Sequence, residues 1–257
     1  MRRGAPESCT GLILRTIKLG DTSKIVSALS LEHGRIRLVA KGARQLQSRW
    51  FAALEPGSEV ELLVYVRPGR DLWTMGDAQL LRGALTANRG LPELIHLFAA
   101  LELAERLLPE QEPQPGVFSL YRQFVARWHE LSAEAMPALF FALELALAED
   151  LGVALDVTCC ADCAVPLVNK ERAVFIANDG VFRCANCAGP FGRWLDASTL
   201  RLLGGLASGF DTFPTSAMAE HESSSIGRVL HEHLQFHLPN YRVPRSLYWL
   251  RPKEASA

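Results

Sequence analysis

The sequence CADCAVPLVNKERAVFIANDGVFRCANC, residues 160–187, contains two Cys-x-x-Cys pairs separated by 20 residues. Each pair places two sulfurs on one tight turn, and the segment between the pairs can bring the two turns together. This spacing is typical of a tetrathiolate metal knuckle, so we expect a closed, structural Zn²⁺ site. Its expected ligands are Cys160, Cys163, Cys184 and Cys187.

The segment between the two pairs predicts a β-hairpin. Two short apolar runs, 173–176 and 181–183, flank Asn178-Asp179-Gly180, which is a turn signal. Such a ribbon buries too little apolar surface to fold alone. A metal bound by four thiolates would add stability on the order of 10 kcal/mol.

Other interpretations of the cysteines are weaker. Two disulfides would need an oxidising compartment, whereas the N-terminus lacks the apolar segment of an export signal, so we expect a cytoplasmic protein. A thioredoxin-like redox centre would not explain the second pair. The register stays open at one position, because Cys159 could replace Cys160 as a ligand. Cys9 stands alone and is expected to be buried.

The bulk composition indicates a globular chain whose charge is sorted by region. The 257 residues are 49% hydrophobic and 21% charged, which allows two modest domains plus the knuckle, and no apolar run approaches the length of a bilayer span. Residues 1–82 carry 13 Lys/Arg against 8 Asp/Glu, a net of +5, whereas residues 83–158 carry 4 against 11, a net of −7. This sorting indicates an anion-binding N-terminal module.

The N-terminal residues predict a small β-barrel. Five short runs, several of them alternating apolar and polar residues, are separated by Gly- and Pro-containing turns. Five strands in about 75 residues suit an OB-type Greek-key barrel, although an SH3-like barrel fits nearly as well. The runs are 11–14, 24–29, 35–40, 60–65 and 72–75.

Basic residues concentrate near the third predicted strand. Between residues 15 and 49 there are 8 basic side chains against 2 acidic ones. Arg35 and Arg37 alternate with apolar residues and would share one face of the strand. The expected contacts to DNA phosphates are Lys24, Arg35, Arg37, Lys41, Arg44 and Arg49. Trp50 and Phe51 would stack on bases; the alternative is a solvated basic face with both rings in the core.

From Leu91 the apolar residues repeat at helical spacing. Two helices on either side of a Pro-containing linker (109–115), a third over 139–151 and two more after the knuckle are expected, with Asp196 as an N-cap. The last helix, about 224–238, contains His233 and His237 four residues apart. A second metal site there is the less favoured interpretation, because no Glu completes an H-E-x-x-H motif.

The predicted architecture is therefore α+β and multi-domain. It places an OB-type barrel at 1–82, a helical domain at 83–158, a four-cysteine knuckle at 159–190 and the rest of the helical domain at 191–257. No phosphate-binding loop, dinucleotide fingerprint or nucleophile elbow is present in the sequence, and four thiolates leave no open metal position for water. We therefore expect no enzyme; the alternatives are a zinc-containing thiol-redox or hydrolytic enzyme and a protein-binding adaptor.

The order of these features resembles the bacterial recombination mediator family RecO. The resemblance covers nearly the whole chain and rests on an ordered set of short motifs rather than on any single one. One departure is Asp21, where many members have Glu after aromatic-Gly, and tetrathiolate zinc occurs in only part of the family. The matching positions are Gly20-Asp21, His33-Gly34, Lys41-Gly42-Ala43-Arg44, Ser48, 62–80, Leu151-Gly152, Gly180 and 245–250.

The resemblance implies a function without catalytic turnover. It implies binding of single- and double-stranded DNA, annealing of complementary strands and a bacterial cytoplasmic, nucleoid-associated location. With the partner RecR, a member would load RecA onto strands coated with single-stranded-DNA-binding protein. A net-positive barrel offers a mechanism, because cations that neutralise the phosphates of two strands lower their mutual repulsion while bases pair.

Overall fold

The structure is a computed structural model that describes residues 6–84 and 89–250. The chain forms two compact units: the first comprises Met1–His129 and Pro244–Ala257, and the second Glu130–Val243. The domain limits predicted from the sequence, at residues 82, 158 and 190, were placed where the secondary structure changes. The two compact units divide the chain elsewhere, and the predicted limits stay predictions.

Five strands in the first unit close into a barrel. They are β1 (Pro6–Leu19), β2 (Ser23–Ser30), β3 (Gly34–Ala40), β4 (Glu59–Tyr65) and β5 (Trp73–Arg82). Their order around the barrel is β1-β2-β3-β5-β4, with β4 returning to β1 and β3 running parallel to β5. This order is that of a five-stranded Greek-key barrel of the OB type, so it favours an OB-type barrel over an SH3-like one.

Apolar side chains fill the barrel because buried and less buried residues alternate along its strands. In β3, buried and half-buried residues follow one another without interruption, which places Ile36, Leu38 and Ala40 inside. The long loop between β3 and β4 contributes Ala53 and Leu54 to the same core. The barrel therefore has a dry interior, and its charged side chains lie outside it or at its ends.

Helices α1 (Leu91–Leu107) and α2 (Pro115–Glu130) complete the first unit. The indole N–H of Trp128 donates to the carbonyl oxygen of Glu93 at 2.8 Å. The hydroxyl of Tyr121 donates to the carbonyl oxygen of Ala100 at 3.0 Å. A C-terminal 3-10 helix, Arg245–Leu250, packs on α1. The two helices are thus held together by buried side chains and hydrogen bonds, and the 3-10 helix is bound to α1 through Glu102.

The second unit contains helices α3 (Met136–Asp150), α4 (Ala197–Leu206) and α5 (Glu220–His237), and a sheet of β6 (Arg172–Ile176), β7 (Val181–Cys184) and β8 (Arg193–Asp196) in the order β7-β6-β8. A short 3-10 helix, Ala133–Ala135, precedes α3. The predicted hairpin is β6–β7, and Asp196 caps α4 by accepting from the backbone N–H of Thr199 at 2.8 Å. Strand β8 was not predicted. Among the described residues, no helix is both long enough and apolar enough to span a membrane.

Candidate metal centre and basic barrel surface

The four predicted cysteine ligands meet at the base of the β6–β7 hairpin. The Sγ atoms of Cys160, Cys163, Cys184 and Cys187 all lie within 4.8 Å of one another, and those of Cys163 and Cys184 are 3.7 Å apart. Four sulfurs about 2.3 Å from a tetrahedral Zn²⁺ would be separated from one another by about 3.8 Å. The donor set and the spacing therefore fit a metal ion of this kind.

The structure distinguishes the two adjacent cysteines. Cys160 is 1% exposed and belongs to the cluster, whereas the Sγ of Cys159 lies 3.6 Å from a carboxylate oxygen of Asp156 and outside the cluster. The thiol of Cys9 is buried in the barrel core, and burial raises its pKa to about 11. Only Cys160, of the two alternatives, is placed to act with the other three cysteines.

Backbone N–H groups stabilise negative charge on the cluster. Burial raises the pKa of the Cys160 thiol, but N–H groups of Cys184, Cys163 and Asp162 outweigh it and lower that pKa to about 6. The N–H of Cys184 lies 3.3 Å from the Cys160 sulfur. Hydrogen bonding with Cys163 and then Cys184 instead raises the pKa of Cys187 to about 12. Four sulfurs this close cannot all ionise without a cation, and a bound metal ion would supply one.

Arg35 and Arg37 project from the same outer face of β3, as their alternation predicted. Strand pairing aligns Arg37 with Ser27 and Ser27 with Arg15, so Arg15 joins them on this face. These arginines line a cavity of about 230 Å³ that also contains Glu105 and Glu110. The face is therefore less positive than its arginines alone suggest.

Arg35 is engaged by the linker between α1 and α2. Its guanidinium donates to the carbonyl oxygen of Leu108 at 2.9 Å and to the carboxylate of Glu110 at 3.0 Å, and its side chain is 14% exposed. Its backbone carbonyl accepts from the N–H of Gln111 at 2.9 Å. Gly34 allows this close approach, because a Cβ there would lie 2.0 Å from the backbone oxygen of Glu112. The geometry gives Arg35 a structural role.

A second group of cations lies at one end of the barrel. Lys18 pairs directly with Lys24 across β1 and β2, so their side chains share a face. Lys41 and Arg44 follow β3 and are exposed, and Arg44 donates to the carbonyl oxygen of Gly20 in the turn between β1 and β2. Lys18 and Arg15 were not predicted as site residues, because their proximity to Lys24 and Arg37 depends on the pairing of β2 with β1 and β3.

The two rings at the barrel end have different environments. Trp50 is half-buried against the barrel core and donates through its indole N–H to Asp77 at 2.8 Å. That bond, together with the N–H of Ala78 and the guanidinium of Arg49 at 3.0 Å, holds the pKa of Asp77 below its usual value despite some desolvation. Phe51 is 69% exposed, and the Lys24 ammonium lies 6.0 Å from its ring centroid. Trp50 is thus partly buried, as in the core alternative, whereas Phe51 is exposed and its stacking on bases stays a prediction.

Comparison with known proteins identifies the family of the whole chain. The model described as "Recombination protein O N terminal" matches residues 1–84, and "Recombination protein O C terminal" matches residues 90–246. A protein of Pelobacter propionicus named "DNA repair protein RecO" is 30% identical over 247 residues, which cover 96% of each chain. Proteins with the same name from Anaeromyxobacter dehalogenans and Frankia casuarinae are 29% and 33% identical and match 87% and 89% of this chain, and 89% and 92% of their own lengths. The chain therefore belongs to the RecO family of recombination proteins.

Proposed function

We propose that this protein acts in DNA repair as a non-catalytic recombination mediator that binds single- and double-stranded DNA through its barrel. The observation that carries the proposal is exposed Phe51 with the Lys24 ammonium 6.0 Å from its ring centroid, on a segment after β3 that also exposes Lys41, Arg44 and Arg49. It is supported by the names of the curated relatives, which are DNA repair proteins. Phosphates give such a surface its affinity, and an exposed ring can stack on a base.

The proposed phosphate contacts are Lys24, Arg37, Lys41, Arg44 and Arg49. Lys41 and Arg44 are exposed, and the side chain of Arg49 is 70% exposed beside Asp77, so a phosphate can approach all three from solvent. Arg35 is not among the proposed contacts, because its guanidinium already donates to the carboxylate of Glu110 and the carbonyl oxygen of Leu108. An exposed ion pair such as that of Arg49 contributes little, so a polyanion can compete for the arginine.

The mediator activity follows from neutralisation of charge. Two DNA strands held by the same cations repel each other less, and complementary bases can pair without nucleotide hydrolysis. We propose RecR as the protein partner and replacement of single-stranded-DNA-binding protein by RecA as the outcome, in the bacterial cytoplasm near the nucleoid.

We propose that the four-cysteine cluster holds structural Zn²⁺. Cys160, Cys163, Cys184 and Cys187 would bind it as thiolates, and a bound zinc ion would join the two turns and so fix the β6–β7 hairpin. Four protein ligands close the tetrahedron, which leaves no position for a reactive water. The cluster therefore braces the fold of the second unit.

The DNA proposal is tested by measuring affinity for fluorescent single-stranded DNA at several salt concentrations. Replacing Lys41 and Arg44 by Ala should lower affinity and flatten the log–log salt slope by about 1 to 2. Arg201→Ala is the matched control, since Arg201 is an exposed arginine of α4 in the second unit. A slope unchanged by the double substitution would remove these residues from the interface.

The zinc proposal is tested by metal analysis and by the absorption spectrum of the cobalt-substituted protein. We expect one ion per cluster and the intense charge-transfer bands of four-thiolate cobalt. Bands of a site with fewer sulfurs and a bound water would instead favour the hydrolytic alternative.

A further inference from the structure

Helix α5 presents two imidazoles, one turn apart, to the turn between β6 and β7. The rings of His233 and His237 have centroids 4.6 Å apart. His233 is 2% exposed and contacts Phe175 of β6 edge-on, with ring centroids 6.4 Å apart. Both residues lie in the second unit.

The hydrogen bond of His233 fixes its tautomer. Its Nε2 lies 2.7 Å from the carbonyl oxygen of Val153, and a carbonyl can only accept, so Nε2 carries the proton. The other ring nitrogen, Nδ1, then holds a lone pair. This Nδ1 is buried and has no hydrogen-bond partner among the protein atoms of the described residues. Leaving a buried polar atom without a partner destabilises the fold, so this nitrogen is a candidate for binding a ligand.

The second histidine also has a buried ring nitrogen without a hydrogen-bond partner among the described residues. The Nε2 of His237 is buried and, within residues 6–84 and 89–250, has no protein hydrogen-bond partner. Desolvation by burial, together with the neighbouring His237, lowers the pKa of His233 below its usual value despite the Val153 bond. The carboxylate of Asp179 lies 3.3 Å from Arg183, and that of Glu232 is bound to Arg193. The nearby acids are thus already paired with arginines.

Gly180 shows that both nitrogens face one point. A Cβ on Gly180 would lie 2.6 Å from the Nε2 of His237 and 3.1 Å from the Nδ1 of His233. Gly180 has φ +65°, a conformation that favours glycine, and the turn keeps this position free of a side chain. The Nε2 of His237 and the Nδ1 of His233 therefore lie on the same side of the turn, next to Gly180, where one small ligand beside the glycine could contact both.

We propose that His233 Nδ1 and His237 Nε2 form a second metal site, separate from the cysteine cluster, for a borderline divalent ion of the Zn²⁺, Ni²⁺ and Cu²⁺ class. Neutral imidazole is a preferred ligand of these ions, and solvent would complete the coordination sphere beside half-buried His237. Metal-bound histidines commonly donate their other N–H to a backbone carbonyl, as His233 does to Val153. From the sequence alone this interpretation was less favoured than packing or surface positions for the two histidines.

The test is a Zn²⁺ titration of the full-length chain by calorimetry, after the cysteine cluster has been saturated with zinc and the excess removed. We expect one further equivalent of Zn²⁺ to bind. His237→Gln should abolish it by removing a ligand, and Gly180→Ala should weaken it at least tenfold by placing a methyl group between the nitrogens. His231→Gln is the matched control, because His231 lies on the same helix with an unpaired Nδ1 but faces Tyr241.

A spectroscopic readout separates metal from water at the same point. The ¹⁵N resonance of His233 Nδ1 should shift on addition of one equivalent of Zn²⁺ while the resonances of His231 stay in place. Absence of a second equivalent in the wild-type protein would overturn the proposal and leave a water molecule bridging the imidazoles. Retention of that equivalent in His237→Gln, with cysteine-bound zinc intact as proof of folding, would overturn it as well.

Discussion

At the scale of single residues, Glu144 carries the clearest pH dependence. This carboxyl is fully buried in α3 and accepts from the Tyr241 hydroxyl at 2.7 Å; burial raises its pKa to about 8, although the tyrosine bond opposes the rise. Its unfolded pKa is 4.5, so between pH 4.5 and about 8 the folded state holds a proton that the unfolded state releases. Stability is therefore highest below that window and falls as pH rises through it.

Glu144→Gln should remove this dependence. In urea unfolding at pH 5, 6, 7 and 8, the wild-type free energy of unfolding should fall by up to about 1.4 kcal/mol per pH unit, and the variant should show a flatter profile. Glu134→Gln, which changes an exposed carboxyl next to α3, should keep the wild-type profile. Equal slopes for wild type and Glu144→Gln would contradict a protonated Glu144 in the folded protein.

Arg35 and Arg37 are two residues apart on one face of β3 and should respond differently to substitution. Arg35→Ala should lower the free energy of unfolding by about 1 to 3 kcal/mol, because it removes charged hydrogen bonds to Glu110 and Leu108. Arg37→Ala should change stability by less than about 0.5 kcal/mol and reduce the DNA salt slope by about 1. Urea unfolding measures the effect on stability, and DNA titration measures the effect on the salt slope. A larger loss of stability in Arg37→Ala than in Arg35→Ala would contradict the structural role of Arg35.

At the scale of elements, the cysteine knuckle should distinguish neighbouring thiols. Cys160→Ser removes a member of the cluster and should abolish stoichiometric zinc binding and loosen the β6–β7 hairpin, because four ligands are needed to close the site. Cys159→Ser should bind zinc as the wild type does, since its sulfur faces Asp156. Metal analysis and amide hydrogen exchange of β6 and β7 measure both effects. Zinc loss on Cys159→Ser alone would reverse the choice of ligand.

The elements also show which features could be read from the sequence. The barrel strands and the hairpin carry local signals, namely alternation and turn residues, and the cysteine spacing carries the cluster. Strand β8 has four residues, too few to show a period, and its pairing with β6 is a tertiary contact. The pairing of Arg35 with Glu110 was not predicted, because the two residues are 75 positions apart in sequence. Trp50 was ambiguous for the same reason, since its partner Asp77 belongs to β5.

At the scale of the whole molecule, the segment that follows Val243 belongs to the first unit, together with the barrel. Ending the chain at Val243 would remove the 3-10 helix Arg245–Leu250 and the bond from the Arg245 N–H to Glu102 at 2.9 Å. Amides of α1 should then exchange faster, whereas those of α3 and the zinc content should not change. Faster exchange confined to α3 would contradict the assignment of the chain end to the first unit.

The return of the chain to the first unit at Pro244 also sets an order of events during translation. The barrel and α1 leave the ribosome before the second unit, whereas the 3-10 helix that contacts α1 leaves it after the second unit. The whole second unit, with its cysteines, emerges in between. The first unit is thus begun before the second unit and completed after it, so the contacts of the Arg245–Leu250 helix with α1 form only once the second unit has been synthesised.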